Sequence, residues 1–334
     1  MYSQKKIFLN ILKTCLSLFL LICILSSCDS DEQTSWNWQE SIEFGRCPKW
    51  SPNGESIIFG DDRTGVAGIY LWDTETDPVR LTDSSHFHNW DYCWSPNGEF
   101  IAFTSPGARE DSLSGIWILE VATKFVTQVY DYGKDVSWYS TGLELAVRFD
   151  NPSEGEPGIY RLGLTEDKNA VTEARLEVLS GHMPECSPKY NWLAYSDNEI
   201  DGRLHILDFD GVEQYVSGHG VRQYKWSSDG KFLAFVINNY TSGILENVLW
   251  GINIAQMEAD SLTRMATFPA PNQDGNEVAF SRVQTGNWSG LWVFSQSEGI
   301  GRVSSFGLSP DYNPVSDKIA VNSSLGGIRI IVRE

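Results

Sequence analysis

The chain reads as an all-β protein, a β-propeller of seven four-stranded antiparallel blades, on three observations. One motif returns seven times, it returns at the spacing of a four-stranded blade, and no helix-length periodic segment competes with it. The motif is clearest as Trp50-Ser51-Pro52-Asn53-Gly54 before Ile57-Ile58-Phe59, and as Trp94-Ser95-Pro96-Asn97-Gly98 before Ile101-Ala102-Phe103. Weaker copies stand at Trp138-Tyr139-Ser140-Thr141-Gly142 before Leu145-Ala146-Val147, and at Cys186-Ser187-Pro188 before Leu193-Ala194-Tyr195. The fifth, Trp226-Ser227-Ser228-Asp229-Gly230 before Leu233-Ala234-Phe235, is clear again, and two degenerate copies follow, at 271–275 before Val278-Ala279-Phe280 and at 313–317 before Ile319-Ala320-Val321. Ser51, Ser95, Ser140, Ser187 and Ser227 stand 44, 45, 47 and 40 residues apart, the length of one blade. Because the last two copies are degenerate, six blades plus an irregular segment is the alternative count.

Each element of the repeat has a physical reason. In Ser-Pro-Asn-Gly, proline presets the first turn position and glycine accepts a positive φ, so the stretch closes a hairpin between two strands. A third strand recurs as Gly68-Ile69-Tyr70-Leu71-Trp72, Gly115-Ile116-Trp117-Ile118-Leu119, Gly158-Ile159-Tyr160-Arg161-Leu162 and Gly290-Leu291-Trp292-Val293-Phe294, and a fourth is visible in Val79-Arg80-Leu81-Thr82. Its largely continuous apolar character predicts burial on both faces, between stacked blades. The last copy ends one strand short, after Ile328-Arg329-Ile330-Ile331-Val332, and Ser41-Ile42-Glu43-Phe44 is the expected donor of the missing strand. Such closure removes the open sheet edges of an unclosed ring.

Ahead of the repeats, Lys5, Lys6 and Lys13 precede an apolar run from Cys15 to Leu25, the order of a cleaved secretory signal, and one too short to span a bilayer comfortably. The run ends in Leu25-Ser26-Ser27-Cys28, which resembles the lipobox of bacterial lipoproteins and implies that Cys28 is lipidated. The following Asp29-Ser30-Asp31-Glu32 resembles the acidic stretch that sends some lipoproteins to the cell surface. The expected organisation is a signal at 1–27, a lipidated tether at 28–35 and the propeller at 36–334. The expected location is the cell envelope, at the outer membrane, periplasmic or surface-exposed.

The chain carries a formal charge of −19, and loss of the three leader lysines makes it more negative still. No nucleic-acid partner is expected, because phosphate backbones are held by clustered Lys and Arg. Of six cysteines, only Cys47, Cys93 and Cys186 belong to the propeller. They are expected as small buried thiols, with no essential disulfide.

The order Trp-Ser-Pro-Asn-Gly, Ile-Ala-Phe, Ile-Tyr-Leu-Trp-Asp and Leu-Thr resembles the WD40-like (PD40) repeat of TolB-type propellers over residues 36 to 334. TolB-type proteins add an α/β domain before their propeller, whereas here only a few residues are expected between Cys28 and the first strand, so the Tol-complex role is not implied. Prolyl-peptidase-like enzymes carry similar propellers beside a hydrolase domain, but no Gly-x-Ser-x-Gly elbow, Walker loop, His-Glu-x-x-His or Cys-x-x-Cys is present.

Candidate site residues fall in the loops that lead from the outer strand of one blade to the inner strand of the next. Four positions before the inner-strand tryptophan position of their repeats stand Arg46, Trp90, Lys134, His182 and Arg222, a basic row in an acidic chain. One reading is a funnel-mouth site for an anionic or sugar-like ligand, with arginine and lysine pairing carboxylates and Trp90 stacking. The other is ordinary polar loop composition. Asp91 and Asp135, each three residues before a tryptophan, are expected to tie neighbouring blades together, the alternative being a carboxylate pair for acid and base work.

Oligogalacturonate lyases are propellers of the same general kind, and they hold a divalent metal through histidines and a glutamine. That resemblance implies a metal set of His88, His182, His219 and Gln223. Two functions are therefore carried forward. The first is a non-enzymatic, envelope-anchored module without cofactor, membrane-bound through its N-terminal lipid, that binds an envelope protein or a glycan. The second is a metal-dependent lyase or hydrolase acting on an acidic oligosaccharide.

Overall fold

The computed structural model describes residues 36–333, apart from 64, 66, 83–90, 107–113, 152–154, 242–243, 284–288 and 324–325. Every regular element among the described residues is a β-strand, and the strands form seven blades. Blade 1 comprises Arg46–Trp50, Ile57–Asp61, Gly68–Trp72 and Val79–Arg80; blade 2 comprises Tyr92–Trp94, Phe100–Pro106, Ser114–Glu120 and Phe125–Tyr130. Blade 3 is Lys134–Trp138, Glu144–Phe149, Gly158–Leu164 and Val171–Leu179. Blade 4 is His182–Cys186, Leu193–Ser196, Gly202–Leu207 and the first half of Glu213–Trp226. The second half of that 14-residue strand opens blade 5, which continues with Phe232–Thr241, Ile244–Asn253 and Glu258–Arg264. Blade 6 is Thr267–Pro271, Glu277–Arg282, Gly290–Ser295 and Gly299–Ser304, and blade 7 is Leu308–Tyr312, Lys318–Asn322, Ile328–Arg333 and, from the other end of the chain, Trp36–Ile42.

The repeat motif closes the inner hairpin as its chemistry requires. In blade 1 the Gly54 amide donates to the Ser51 carbonyl at 2.8 Å, the Ser51 hydroxyl meets Asn53 at 2.6 Å, and the Ser56 amide returns to that hydroxyl at 3.0 Å. Blades 2 and 5 repeat the pattern around Ser95 and Ser227. Gly54, Gly98 and Gly230 have φ of +72°, +74° and +72°, a region costly for other residues.

The core lies between blades. Ile58 and Ile69 of blade 1 pack on Ile101, Phe103 and Leu119 of blade 2, and Trp50, Ile57 and Phe59 pack on Ala320, Ile328 and Ile330 of blade 7. Each fully buried isoleucine or leucine contributes about 1.5–3 kcal/mol.

Ring closure differs in register from the sequence expectation. The donated strand is Trp36–Ile42, pairing antiparallel with Ile328–Arg333, so it begins earlier than Ser41 and stops before Phe44. Trp36, only 8% exposed, packs with Tyr312 and Ile331 and carries much of the closure. The fourth strand of blade 1 is also shorter than expected: it ends at Arg80, where the Arg80 side chain turns to the Thr82 carbonyl at 2.6 Å.

Deleting 36–42 strips Trp36 from this cluster and exposes the edge of blade 7. The melting temperature of the truncated ring, read by circular dichroism, is expected to fall by roughly 8 °C or more, since loss of one buried tryptophan alone costs about 3–5 kcal/mol. An unchanged melting temperature would show that the ring closes without this strand.

Candidate functional site

Each inner strand runs into its Ser-Pro-Asn-Gly-type turn, so all turns lie at one end of the ring axis. The segments leading into the inner strands lie at the other end, the loop face. Along the axis runs a channel of about 940 Å³ lined by the inner strands of all seven blades. Pro52, Pro96, Pro188 and Pro314 border its turn end, and Met183, Arg222, Gln223, Phe268 and Ser309 its loop-face end.

The inner strands are bulged near the loop face. Pairing skips one residue between Arg46 and Lys49, Lys134 and Ser137, His182 and Glu185, Thr267 and Ala270, and Leu308 and Asp311. The residue after each skip begins, Cys47, Asp135, Met183, Phe268 or Ser309, has a φ of +48° to +55°. A left-handed conformation at a non-glycine residue costs about 1–3 kcal/mol, so the surroundings must hold it.

Neighbouring blades do hold it. The Cys47 amide donates to Asn322 of blade 7 at 2.8 Å, and the Phe268 amide to the Gln223 side chain of blade 5 at 2.7 Å. In blade 3 the Val136 amide donates to Asp91 of blade 2 at 3.3 Å. From the other side, the Tyr92 hydroxyl donates to the Cys47 carbonyl at 2.7 Å, and the Tyr224 hydroxyl to the Met183 carbonyl. Asp91 is thus a tie between blades, also accepting from Thr104 at 2.9 Å.

Deeper in the channel, one residue before the last position of the inner strand (Trp50, Cys186, Trp226 or Tyr312), stand Lys49, Glu185, Lys225 and Asp311. Lys49 donates to the Tyr92 carbonyl at 2.6 Å, Lys225 pairs with Glu185 at 3.4 Å, and Asp311 accepts the Trp50 amide at 2.7 Å. Burial pushes the Asp311 carboxyl up, while the charge of Glu185 holds the Lys225 ammonium above its ordinary range. Burial, reinforced by the negative charge of Asp135, pushes Asp91 up to about 6. Cys47, Cys93 and Cys186 carry free thiols, and burial raises each, Cys93 to about 12, which makes them poor nucleophiles.

The structure places the sequence-predicted residues unevenly. Arg46, Lys134 and His182 are the first residues of inner strands rather than loop residues, and His219, Arg222 and Gln223 lie within the unbroken strand Glu213–Trp226. That strand stays extended because its pairing passes from Gly202–Leu207 to Phe232–Thr241 without a break for a loop. Arg222 and Gln223 line the channel. Arg46 faces Asp62 at 3.5 Å, and Lys134 pairs with Asp150 at 2.6 Å. His219 receives the Arg203 guanidinium on Nε2 at 2.9 Å and 3.1 Å, with Nδ1 3.3 Å from the Asp201 carbonyl. Trp90 and His88 lie outside the described residues, as does Cys28.

Sequence reasoning missed Arg148. This buried guanidinium reaches Asp135 at 3.5 Å, Asp150 at 2.7 Å and Glu199 at 3.2 Å, and so binds the Lys134 and His182 positions into one cluster. Its signal was a lone cation inside the apolar run Leu145-Ala146-Val147-Arg148-Phe149. The buried His182 Nδ1 has no hydrogen-bond partner among the described residues. Burial and then the charge of Arg148 hold the imidazole below its ordinary value. Among the described residues, no group of three or more His, Cys, Asp or Glu is arranged to hold a metal ion.

No family model matches the chain, and no curated protein does. Solved structures do. An oligogalacturonate lyase in complex with manganese is 17% identical, with a TM-score of 0.63 over 90% of this chain and 91% of that one. The oligogalacturonate lyase of Vibrio parahaemolyticus is 14% identical, with the same TM-score and coverage. The β-propeller domain of Cps50 (Swd1) from Myceliophteria thermophila is 11% identical, with a TM-score of 0.61 over 89% and 99%. At these identities the likeness is one of fold, and it agrees with the propeller built from the strands above.

Two outcomes follow from the electrostatics. Asp91 ionises in the folded ring only near pH 6, whereas in the unfolded chain it does so near pH 4. Its contribution to stability is therefore fully present below about pH 4 and lost as pH rises through about 6, a loss on the order of 2–3 kcal/mol. Asp91→Asn keeps a neutral acceptor, so it is expected to leave the melting temperature unchanged at about pH 4 and to raise it by a few degrees at neutral pH. Arg148→Gln removes the cation facing three carboxylates and is expected to cost about 2–4 kcal/mol in denaturant unfolding. It should also raise the His182 pKa, followed by NMR titration of the ring protons; a fall would contradict the arrangement.

Proposed function

We propose that this protein is a non-enzymatic binding ring, held at the cell envelope by a lipid on Cys28, that takes a protein or an anionic glycan at the loop-face mouth of its channel. The observation that carries the reading is the mouth itself. There Arg222, which has no ion-pair partner among the described residues, and the half-exposed ring of Phe268 border a channel whose deeper wall holds Lys49 and Lys225. A free guanidinium beside an aromatic face suits a carboxylate-bearing ligand with an apolar or sugar-ring surface. The other cations of the predicted row, Arg46 and Lys134, already face Asp62 and Asp150, which leaves Arg222 as the recognition group.

The second reading is a metal-dependent lyase acting on an acidic oligosaccharide through His88, His182, His219 and Gln223. A buried His182 Nδ1 without a hydrogen-bond partner among the described residues, on an imidazole that burial holds below its ordinary value, favours it. The positions of His219, against the Arg203 guanidinium, and Gln223, whose carbonyl accepts the Phe268 amide, do not fit a shared metal centre, so no catalytic step is built on them.

Calorimetric titration of the mature chain with oligogalacturonate, alongside the absorbance of the unsaturated product with and without added manganese, separates the two. Binding without turnover, weakened about 10- to 100-fold in Arg222→Ala with the melting temperature kept, is the expected result for this ligand class. Manganese-dependent product formation that disappears in His182→Ala would overturn the non-enzymatic reading.

A further inference from the structure

We infer that the rim of blade 7 is a membrane contact: Trp38, Phe306 and Arg329 form an interfacial patch that rests on the phosphate-bearing headgroup layer of the bilayer in which the Cys28 lipid sits. The inference rests on the reading of Cys28 as the anchor and goes beyond it, because a lipid alone leaves the orientation of the ring open.

The patch joins the closing strand, the third strand of blade 7 and the segment that leads into that blade's inner strand. Trp38 is 42% exposed on Trp36–Ile42, its ring is stacked on Phe306 with centroids 4.8 Å apart and planes 8° off parallel, and the Arg329 guanidinium stands 4.9 Å from one centroid and 5.0 Å from the other. Arg329 has no carboxylate partner among the described residues, unlike Arg148, Arg161 or Arg333. An exposed indole beside an unmatched guanidinium combines an amphipathic ring, which favours the bilayer interface, with a cation that pairs with lipid phosphate.

Two further constraints choose the bilayer as occupant. Only nine residues separate Cys28 from Trp38, so even a fully extended tether keeps this rim within about 33–36 Å of the lipidated residue. The chain as a whole is strongly acidic, at −19, and an anionic bilayer repels most of its surface. The side of the ring that settles against the headgroups is the one that offers a cation and an aromatic ring next to the anchor.

The test uses the full chain produced in a Gram-negative host and purified with its own lipid. Mass spectrometry first reads whether the mature N-terminus is a lipidated Cys28. The protein is then reconstituted into phosphatidylethanolamine–phosphatidylglycerol vesicles containing lipids brominated near the headgroup, and tryptophan quenching is compared among wild type, Trp38→Phe and Arg329→Gln. The expected result is quenching in the wild type, most of it lost in Trp38→Phe, and reduced about twofold or more in Arg329→Gln with matching circular dichroism. Lipidated protein whose quenching is absent, or is the same in wild type and Trp38→Phe, would overturn the patch while leaving the anchor standing. An unlipidated N-terminus would overturn both.

Discussion

The geometry of this ring depends on how the bulged inner strands are satisfied. Inserting one extra residue near the loop face turns Cys47, Asp135, Met183, Phe268 and Ser309 left-handed and leaves backbone groups without ladder partners. Where such groups are buried, leaving one unmet costs about 1–3 kcal/mol. Side chains from the blades on either side meet them instead: Asn322, Asp91 and Gln223 accept the amides, and Tyr92 and Tyr224 donate to the carbonyls. The blades are therefore coupled by polar contacts at the channel wall as well as by the apolar clusters between them.

The same constraint determines what the channel offers a ligand. Residues kept polar in order to tie blades together bring desolvated charge with them, which is why Asp91 and Asp311 resist ionisation and why Lys225 holds its proton tightly against Glu185. Those groups are largely matched to one another. Arg222 and Phe268, at the mouth, are not. Structural charge deep in the channel and recognition at its rim are in this way separated along the ring axis, and two neighbouring inner strands carry the recognition groups.

The fold was legible because its signal is periodic. Seven copies of one turn, five of them with glycine at positive φ (Gly54, Gly98, Gly142, Gly230 and Gly275), survive even where Trp50 becomes Pro271 or Tyr312, since spacing and the following apolar triplet persist. The strand closing the ring was placed a few residues late because Trp36 and Trp38 lack the alternation of a half-buried strand: one is buried and the other stands exposed against Phe306. The site was legible only in part. The row that includes Arg46, Lys134 and Arg222 was found by position, but the row does not reveal which cations have carboxylate neighbours on adjacent strands; of these three, Arg222 has none among the described residues. Arg148 and the ring of Lys49, Glu185, Lys225 and Asp311 were missed because a charge inside an apolar strand gains part of its meaning from the next blade, far off in sequence: Glu199 lies 51 residues from Arg148 and Glu185 lies 40 from Lys225.

Amide hydrogen exchange at the bulges tests the coupling between blades most directly. The amides of Cys47, Val136 and Phe268 are expected to exchange as slowly as those of central strands such as Ile57–Asp61, because each is held by a neighbouring blade and opens only when blades separate. Exchange at the rate of exposed turns would show that the side-chain ties do not hold the inner strands, and that the channel wall is not the rigid frame from which the rest of this account is built.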